Sequence, residues 1–388
     1  MNNFLHKEIN NQLENHSKIK SIINENINTI KKMIASFELD GNISEYWKAE
    51  IKGFLYLFEN YPLVYEKLRE HCYHITGVKS YDYRDHHFYF KKEFKQKFLK
   101  LKNLDKSNLF IEESSRLGGF GFDIDGKLIN IDTLKFYEFL IGLDFVGFLE
   151  IFKKDTTKTI LEIGSGWGGF AFQFKKLFPK STYVLVDLPH TFLFSLNYLK
   201  VHFPDKKFLI IDDNLKDFNL ADYDFVFCPS NKIKLLNNQK IDLAINMVSF
   251  QEMTSKNIID YSEWLKINKV KYLYSLNRDR SKHNTELTTV TQELFKYFNL
   301  SYVYLLKEDY NKTKKIITND SKPAIRNYAF KKHISYVLEE SKKDIIKEKL
   351  VRIINKISLK ILKRKIILKK KTKINIYDYR HLCCKLKD

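Results

Sequence analysis

Residues 159–169 read TILEIGSGWGG, and no other run constrains the chain as strongly. An apolar segment of this kind suits a parallel strand covered on both faces, here ending at Ile163. Gly164, Gly166 and Gly168 then let the backbone turn tightly and approach a ligand, because no Cβ stands in the way. The next apolar run, STYVLVD at 181–187, closes on Asp187, 21 residues past Gly166. Strand, glycine turn, helix, strand and terminal carboxylate make one unit of an open α/β sheet, whose ligands sit at the carboxyl edge of the strands.

Glu162, two residues before the first glycine, points toward the amino acid part of a nucleoside cofactor, and Asp187 is placed to accept two ribose hydroxyls. Together these residues resemble the signature of the class I methyltransferases, which use S-adenosylmethionine. The resemblance implies a cofactor set of Glu162, Gly164, Ser165, Gly166, Trp167, Gly168, Asp187, Leu188, Pro229, Ser230 and Asn246. The same letters contain G-x-G-x-x-G at Gly164, Gly166 and Gly169, so a nicotinamide or flavin site is the alternative. The acid at 162 and the stretch of about 155 residues before the unit favour the methyl donor.

The chain has 388 residues, enough for one large domain with appendages or for two domains. No apolar stretch reaches the roughly 18 to 20 residues of a membrane span; the longest, 136–152, is broken by Glu138, Asp144 and Glu150. The first residues carry no apolar signal core, which predicts a cytoplasmic protein. Cys72, Cys228, Cys383 and Cys384 show no metal-binding spacing, in keeping with a reducing compartment. The formal charge of +20 is concentrated: residues 342–388 hold 17 Lys and Arg against 4 Asp and Glu, a net of +13. That distribution argues against nucleic acid as the partner of the main body.

Three regions are expected: helices at 1–105, an α/β domain at 106–340 and a basic amphipathic helical tail at 341–388. Ile19, Ile23, Ile27, Ile30 and Ile34 make one helical stripe, which either packs on its own domain or pairs two copies of the chain. Residues 116–126, RLGGFGFDIDG, either fold over the cofactor or form a connector hairpin at Asp125-Gly126. Strands are expected at 159–163, 182–187, 207–212, 224–228, 241–246 and 270–276, with helices between most of them. Residues 224–228 are read as the third core strand and 208–212 as an extra edge strand. Runs at 300–306 and 324–330 read as a terminal antiparallel pair completing a seven-stranded, mostly parallel Rossmann-like sheet. In the tail, Leu350, Ile353, Ile354, Ile357 and Ile361 form an apolar stripe opposite basic residues. It either docks on the protein or lies on an anionic membrane, at the inner face, as a peripheral contact.

VDLPHTFLFSLNYL (Val186 to Leu199), NMVSFQEM (Asn246 to Met253) and YSLNRDR (Tyr274 to Arg280) resemble the sugar O-methyltransferase family over roughly residues 110–330. The family implies methyl transfer to a hydroxyl of a sugar, nucleotide-sugar or glycan, as in a bacterial surface glycan or its precursor. Asn246-Met247-Val248-Ser249 lacks the proline and aromatic clamp expected of an enzyme that methylates a flipped base. With Asn246 where a carboxylate would hold a divalent ion, the reading is a metal-independent base. Glu252 is first choice for that base, then His190, then His283. The alternative role for Glu252 is the end of a capping box, Ser249-x-x-Glu252. Gln251, Asn277 and Arg278 are the candidate substrate contacts, Arg278 suiting a phosphate. A nucleic-acid methyltransferase and a non-enzymatic scaffold or membrane-surface adaptor are the rival functions.

Overall fold

The computed structural model describes residues 2–38, 43–84, 87–154, 157–215, 217–281, 284–306, 324–327 and 379–388. The N-terminal region is helical: α1 (Asn2–Glu38), α2 (Glu45–Phe54), α3 (Leu57–Val64), α4 (Leu68–His71), α5 (Tyr73–Thr76) and α6 (Phe88–Leu104). A hairpin of β1 (Phe122–Ile124) and β2 (Lys127–Ile129) follows, then α7 (Ile131–Phe145). Asp125 and Gly126 both have positive φ, 54° and 76°, the conformation a two-residue hairpin turn requires. Of the two readings of this loop, the hairpin is the one formed. Helix α7 starts from a reciprocal cap, Asn130 accepting from Thr133 N at 2.9 Å while the Thr133 hydroxyl accepts from Asn130 N at 2.9 Å.

The remaining elements alternate as expected. They are β3 (Thr159–Ile163), α8 (Gly169–Leu177), β4 (Thr182–Asp187), α9 (Phe192–His202), β5 (Phe208–Ile210), β6 (Phe225–Pro229), β7 (Leu243–Met247), α10 (Ser255–Ile267) and β8 (Tyr272–Arg278). Helix α11 (Val290–Phe295), β9 (Phe298–Tyr304), β10 (Ala324–Asn327) and β11 (Tyr379–Leu386) complete the order. Nine strands form one sheet in the order β5, β6, β4, β3, β7, β8, β11, β9, β10. Strands β5, β6, β4, β3, β7 and β8 are mutually parallel, whereas β11 runs antiparallel to both β8 and β9. This is the expected mostly parallel, Rossmann-like sheet with one added strand at each edge. Strand β5 is the extra edge piece and β6 the third core strand, as the sequence indicated.

The far end of the sheet corrects the sequence reading. The 300–306 and 324–330 runs do pair antiparallel, through β9 and β10, but β10 is an outer ninth strand. The antiparallel strand that completes the seven is β11, drawn from the segment expected to be a helical tail. Its register is tight on both sides, Leu382 lying opposite Ser275 of β8 and Tyr302 of β9. The tail's apolar stripe at 350–361 lies outside the described residues. Among the described residues, no helix is long and apolar enough to cross a membrane.

The N-terminal helices do not form a core of their own. Ile23, Ile27 and Ile30 are buried, in one apolar cluster with α7, α8 and α9. A buried hydrogen bond of 2.8 Å joins Asn26 to Asn197 of α9. The isoleucine stripe is thus covered within the chain. The opposite sheet face packs a second cluster that includes α10 and α11.

Candidate active site

The carboxyl ends of β3, β4, β6 and β7 open onto a cavity of about 1000 Å³. Its floor is the glycine turn. Gly164 (φ 74°) cannot carry a side chain, since a Cβ there would lie 1.9 Å from Ser249 Oγ. Gly166 (φ 55°) is open, with Ile75 Cγ2 of α5 at 3.5 Å from where its Cβ would be, so its backbone faces the cavity. The turn is fastened by Asp187, whose carboxylate accepts from Gly166 N at 2.6 Å and from Leu188 N at 2.7 Å. Burial pushes this carboxyl up to about 6, against those backbone hydrogen bonds. The hydroxyls of Thr191 and Ser165 also bear on this carboxylate and favour its charged form. Glu162 accepts from Tyr183 Oη at 2.7 Å, and burial, with the Asp187 charge adding to it, pushes it up to about 8.

These residues fit a nucleoside-bearing ligand. Leu188 and Ser230 line the wall beside Asp187, and Asn231 follows with a buried Oδ1 that accepts no hydrogen bond. An amino group of a purine is the donor such an acceptor lacks. Trp167 also lines the cavity, held from behind by the Arg69 guanidinium 3.9 Å from its ring centroid. Arg69 is fully buried and bridges Glu113 and Asp132, each at 2.8 Å. Burial alone would lower the guanidinium's proton affinity, but the two carboxylates outweigh it. Through this triad, α4, the loop at Glu113 and α7 all bear on the glycine turn.

Several expected contacts stand behind the wall instead. Asn246 is completely buried: its amide donates to Ile163 O at 2.7 Å and Ser249 Oγ at 2.8 Å, and its oxygen accepts from Phe250 N and Asn277 Nδ2. Asn246 and Asn277 therefore stitch β3, β7 and β8 together and carry no free group toward a ligand. Pro229 pairs with Asp187 in the sheet, and Gly168 packs on Ser195 of α9. His190 is buried behind the cavity against Phe37, where burial pulls its imidazole down to about 4. It is not among the residues that line the cavity, and its Nδ1 is buried without a hydrogen-bond partner. His283 lies outside the described residues.

Glu252, Gln251 and Arg278 do line the cavity. The capping box expected at 249–252 is not formed: Ser249 makes no cap hydrogen bond, and its hydroxyl turns to Asn246 and Ile163. A reciprocal cap forms further on, at Thr254 and Asn257. Just before this turn, Val248 adopts φ 62°, a left-handed conformation strained for a β-branched residue. Glu252 is pushed up to about 8 by burial, then by Glu50 and Asp187, with Lys135 opposing. Gln251 fixes the neighbouring strand end by accepting from Arg278 N at 2.9 Å. Arg278 lies 4.5 Å over the Tyr379 ring.

Sequence reasoning missed the other half of the wall: Tyr46, Trp47 and Glu50 of α2, Lys135 of α7, Asn231, and Tyr379 of β11. One signal was available, for all three tryptophans of the chain, Trp47, Trp167 and Trp264, line this cavity. Helix α2 is pinned there by Ser44, whose hydroxyl donates to Glu252 O at 3.0 Å and caps Trp47 N at 3.4 Å.

No protein-family profile matches the sequence, and no curated protein matches it. Solved structures are similar in part. The Haemonchus contortus phosphoethanolamine N-methyltransferase 2 in complex with S-adenosyl-L-methionine aligns at 13% identity, over 76% of this chain and 57% of its own, with a TM-score of 0.32. The cyclopropane synthase MmaA2 from Mycobacterium tuberculosis aligns at 10% identity over 76% of this chain and 97% of its own, also at 0.32. The N-terminal domain of human METTL16 in complex with SAH aligns at 15% identity over 45% of this chain and 66% of its own, at 0.30. Likeness at this level carries no argument about ligand or substrate.

Proposed function

We propose that this chain is an S-adenosylmethionine-dependent methyltransferase acting on a hydroxyl of a sugar, free, nucleotide-linked or within a glycan. The observation that carries the reading is the pair of buried carboxylates, Glu162 and Asp187, on adjacent parallel strand ends, flanking an open glycine backbone and facing Glu252 across one cavity. Bound there, S-adenosylmethionine supplies a methyl group already activated on a sulfonium. Asp187 accepts the ribose hydroxyls, Asn231 Oδ1 the purine amino group, and the Gly164–Gly166 backbone gives the amino acid part close passage. Trp47 and Tyr46 offer ring faces to an acceptor, while Gln251 and Arg278 offer polar contacts beside Glu252. Alignment of donor and acceptor contributes about 7 to 11 kcal/mol and a positioned base about 10²- to 10⁴-fold.

Titration calorimetry tests the cofactor. Asp187→Ala should weaken S-adenosylmethionine by about 1 to 3 kcal/mol, since a charged acceptor is lost. Tight binding of NAD with none of the methyl donor would reject the reading. The acceptor is tested by mass spectrometry of surface glycans from cells with and without the gene. A missing methylene increment supports a sugar, and unchanged glycans reject it.

A further inference from the structure

Strand β8 runs out into three charged residues, Arg278, Asp279 and Arg280, whose side chains take separate courses. Asp279 is buried, accepting from Thr291 N at 3.0 Å and pairing with Arg380 of β11 at 2.5 Å. Arg280 Nε donates to Leu287 O at 3.2 Å. Of the three, Arg278 alone lines the cavity. It is held there from two sides. Its backbone N donates to Gln251 Oε1 at 2.9 Å, which ties it to the turn bearing Glu252, and Asn284 brackets that turn by donating to Gln251 O at 3.1 Å and Met253 O at 2.8 Å. Its guanidinium lies 4.5 Å over the ring of Tyr379, its direct partner across the pairing of β8 with β11, so both side chains stand on one face of the sheet. A guanidinium stacked in this way spends its flat face on the ring and keeps its N–H edge for a planar oxyanion. Among the described residues that edge meets no carboxylate, and Nε is buried without a hydrogen-bond partner. Other cations of the cavity differ: Lys135 is paired with Asp132 at 3.0 Å and Lys256 with Asp260 at 2.5 Å, while Lys234 follows β6, beyond β4, β3 and β7 from Arg278.

We infer that the acceptor is an acidic sugar, whose phosphate or carboxylate is gripped by Arg278 while its ring lies along Trp47 and Tyr46. This rests on the methyl-transfer reading of the cavity and narrows the acceptor to one chemical class. A buried donor without a partner is unfavourable in the free protein, and an oxyanion on the ligand supplies what it lacks. Nε and the adjacent Nη reach two oxygens of one anion at once, a fork that a neutral hydroxyl cannot fill. Because Gln251 couples Arg278 to the turn of Glu252, an anion seated on the guanidinium sets the sugar's hydroxyls on the side of the cavity where Glu252 stands. Strand β11 belongs to the acceptor site on the same ground, since the Tyr379 ring fixes the plane of the guanidinium.

The test is an NMR titration of the full chain, isotope-labelled at arginine, with glucose 1-phosphate, glucuronate and glucose, with and without saturating S-adenosylhomocysteine. The Nε–H signal of Arg278 is assigned by its loss in Arg278→Gln, or in Arg278→Lys should the Gln variant not fold. That signal should move saturably with an acidic sugar, and glucose should bind about ten- to a hundredfold more weakly, as befits the loss of charge-assisted hydrogen bonds. A response to glucose 1-phosphate alone marks a phosphate as the group held, and a response to glucuronate alone marks a carboxylate. In the variant the acidic sugar should weaken while the affinity for S-adenosylhomocysteine, read by calorimetry, stays unchanged. An Arg278 signal unmoved by both acids, or moved equally by glucose, overturns the inference. So does a loss of S-adenosylhomocysteine affinity in the variant, which would seat the guanidinium on the donor's carboxylate instead. Failure of the wild type to bind S-adenosylhomocysteine rejects the methyl-transfer reading itself, and is seen separately from the sugar titration.

Discussion

Glu252 sits on a turn whose shape does not depend on its carboxylate, because the hydrogen bonds that fix the turn come from Ser249, Asn246 and Gln251. Glu252→Gln should therefore lower turnover about 10²-fold or more while cofactor affinity stays close to wild type. An active Gln variant would remove Glu252 as base. The buried acids also set a pH dependence of stability. Glu162 and Glu252 are both raised from about 4.5 to about 8, so between those values the folded chain holds protons that the unfolded chain has lost. Stability should fall as pH rises through that window. Melting curves from pH 5 to 8 should show this, with a shallower slope in Glu252→Gln; a flat wild-type profile would contradict it. At this scale the sequence spoke clearly only where local letters dictate backbone. Gly164, Gly166 and Asp187 follow from strand and turn chemistry, whereas Asn246, Asn277 and His190 have the right types at the right strand ends but point into the sheet or behind it. Which way a polar side chain turns is decided by partners distant in sequence, such as Phe37 for His190 or Asn277 for Asn246.

Among elements, the parallel strands and their helices were legible because each is a continuous apolar run bounded by turn residues. The α2 contribution was not, since its Tyr46, Trp47 and Glu50 look like the face of any amphipathic helix until Ser44 fixes it against the β7 turn. The same holds for the charged group joining α4 to α7. Arg69 meets Glu113 and Asp132 across 44 and 63 residues of sequence, with no exposure to water. Because Arg69→Ala would leave buried Glu113 without its cationic partner and Asp132 with Lys135 alone, it should cost about 3 to 5 kcal/mol in chemical denaturation. It should also loosen Trp167 and so weaken cofactor binding. A loss below about 1 kcal/mol would mean that water reaches the triad.

For the whole molecule, β11 determines what counts as the folded unit. It joins β8 to β9 and carries Leu382 and Cys384 into the second core, while His381 meets Tyr274 at 3.0 Å and Glu138 at 3.3 Å. Removing residues 379–388 should thus abolish cooperative unfolding in calorimetry and cofactor binding with it; a cooperative, cofactor-binding truncation would show that β9 can close the sheet on its own. The sequence hid this strand because YRHLCCKL mixes charged with apolar residues and follows a long basic stretch, and its pairing depends on partners about a hundred residues away. That separation has a kinetic consequence. Strands β8 and β9 are neighbours along the chain but lie two strand spacings apart, roughly 10 Å, with a slot between them. Until β11 arrives, both sides of the slot present unpaired backbone, and closing so distant a contact is slow. During refolding the nascent sheet should pass through a state with that slot open, competent to capture the same strand from another copy. Refolding yield should accordingly fall with protein concentration, and a synthetic peptide of residues 379–388 should restore it.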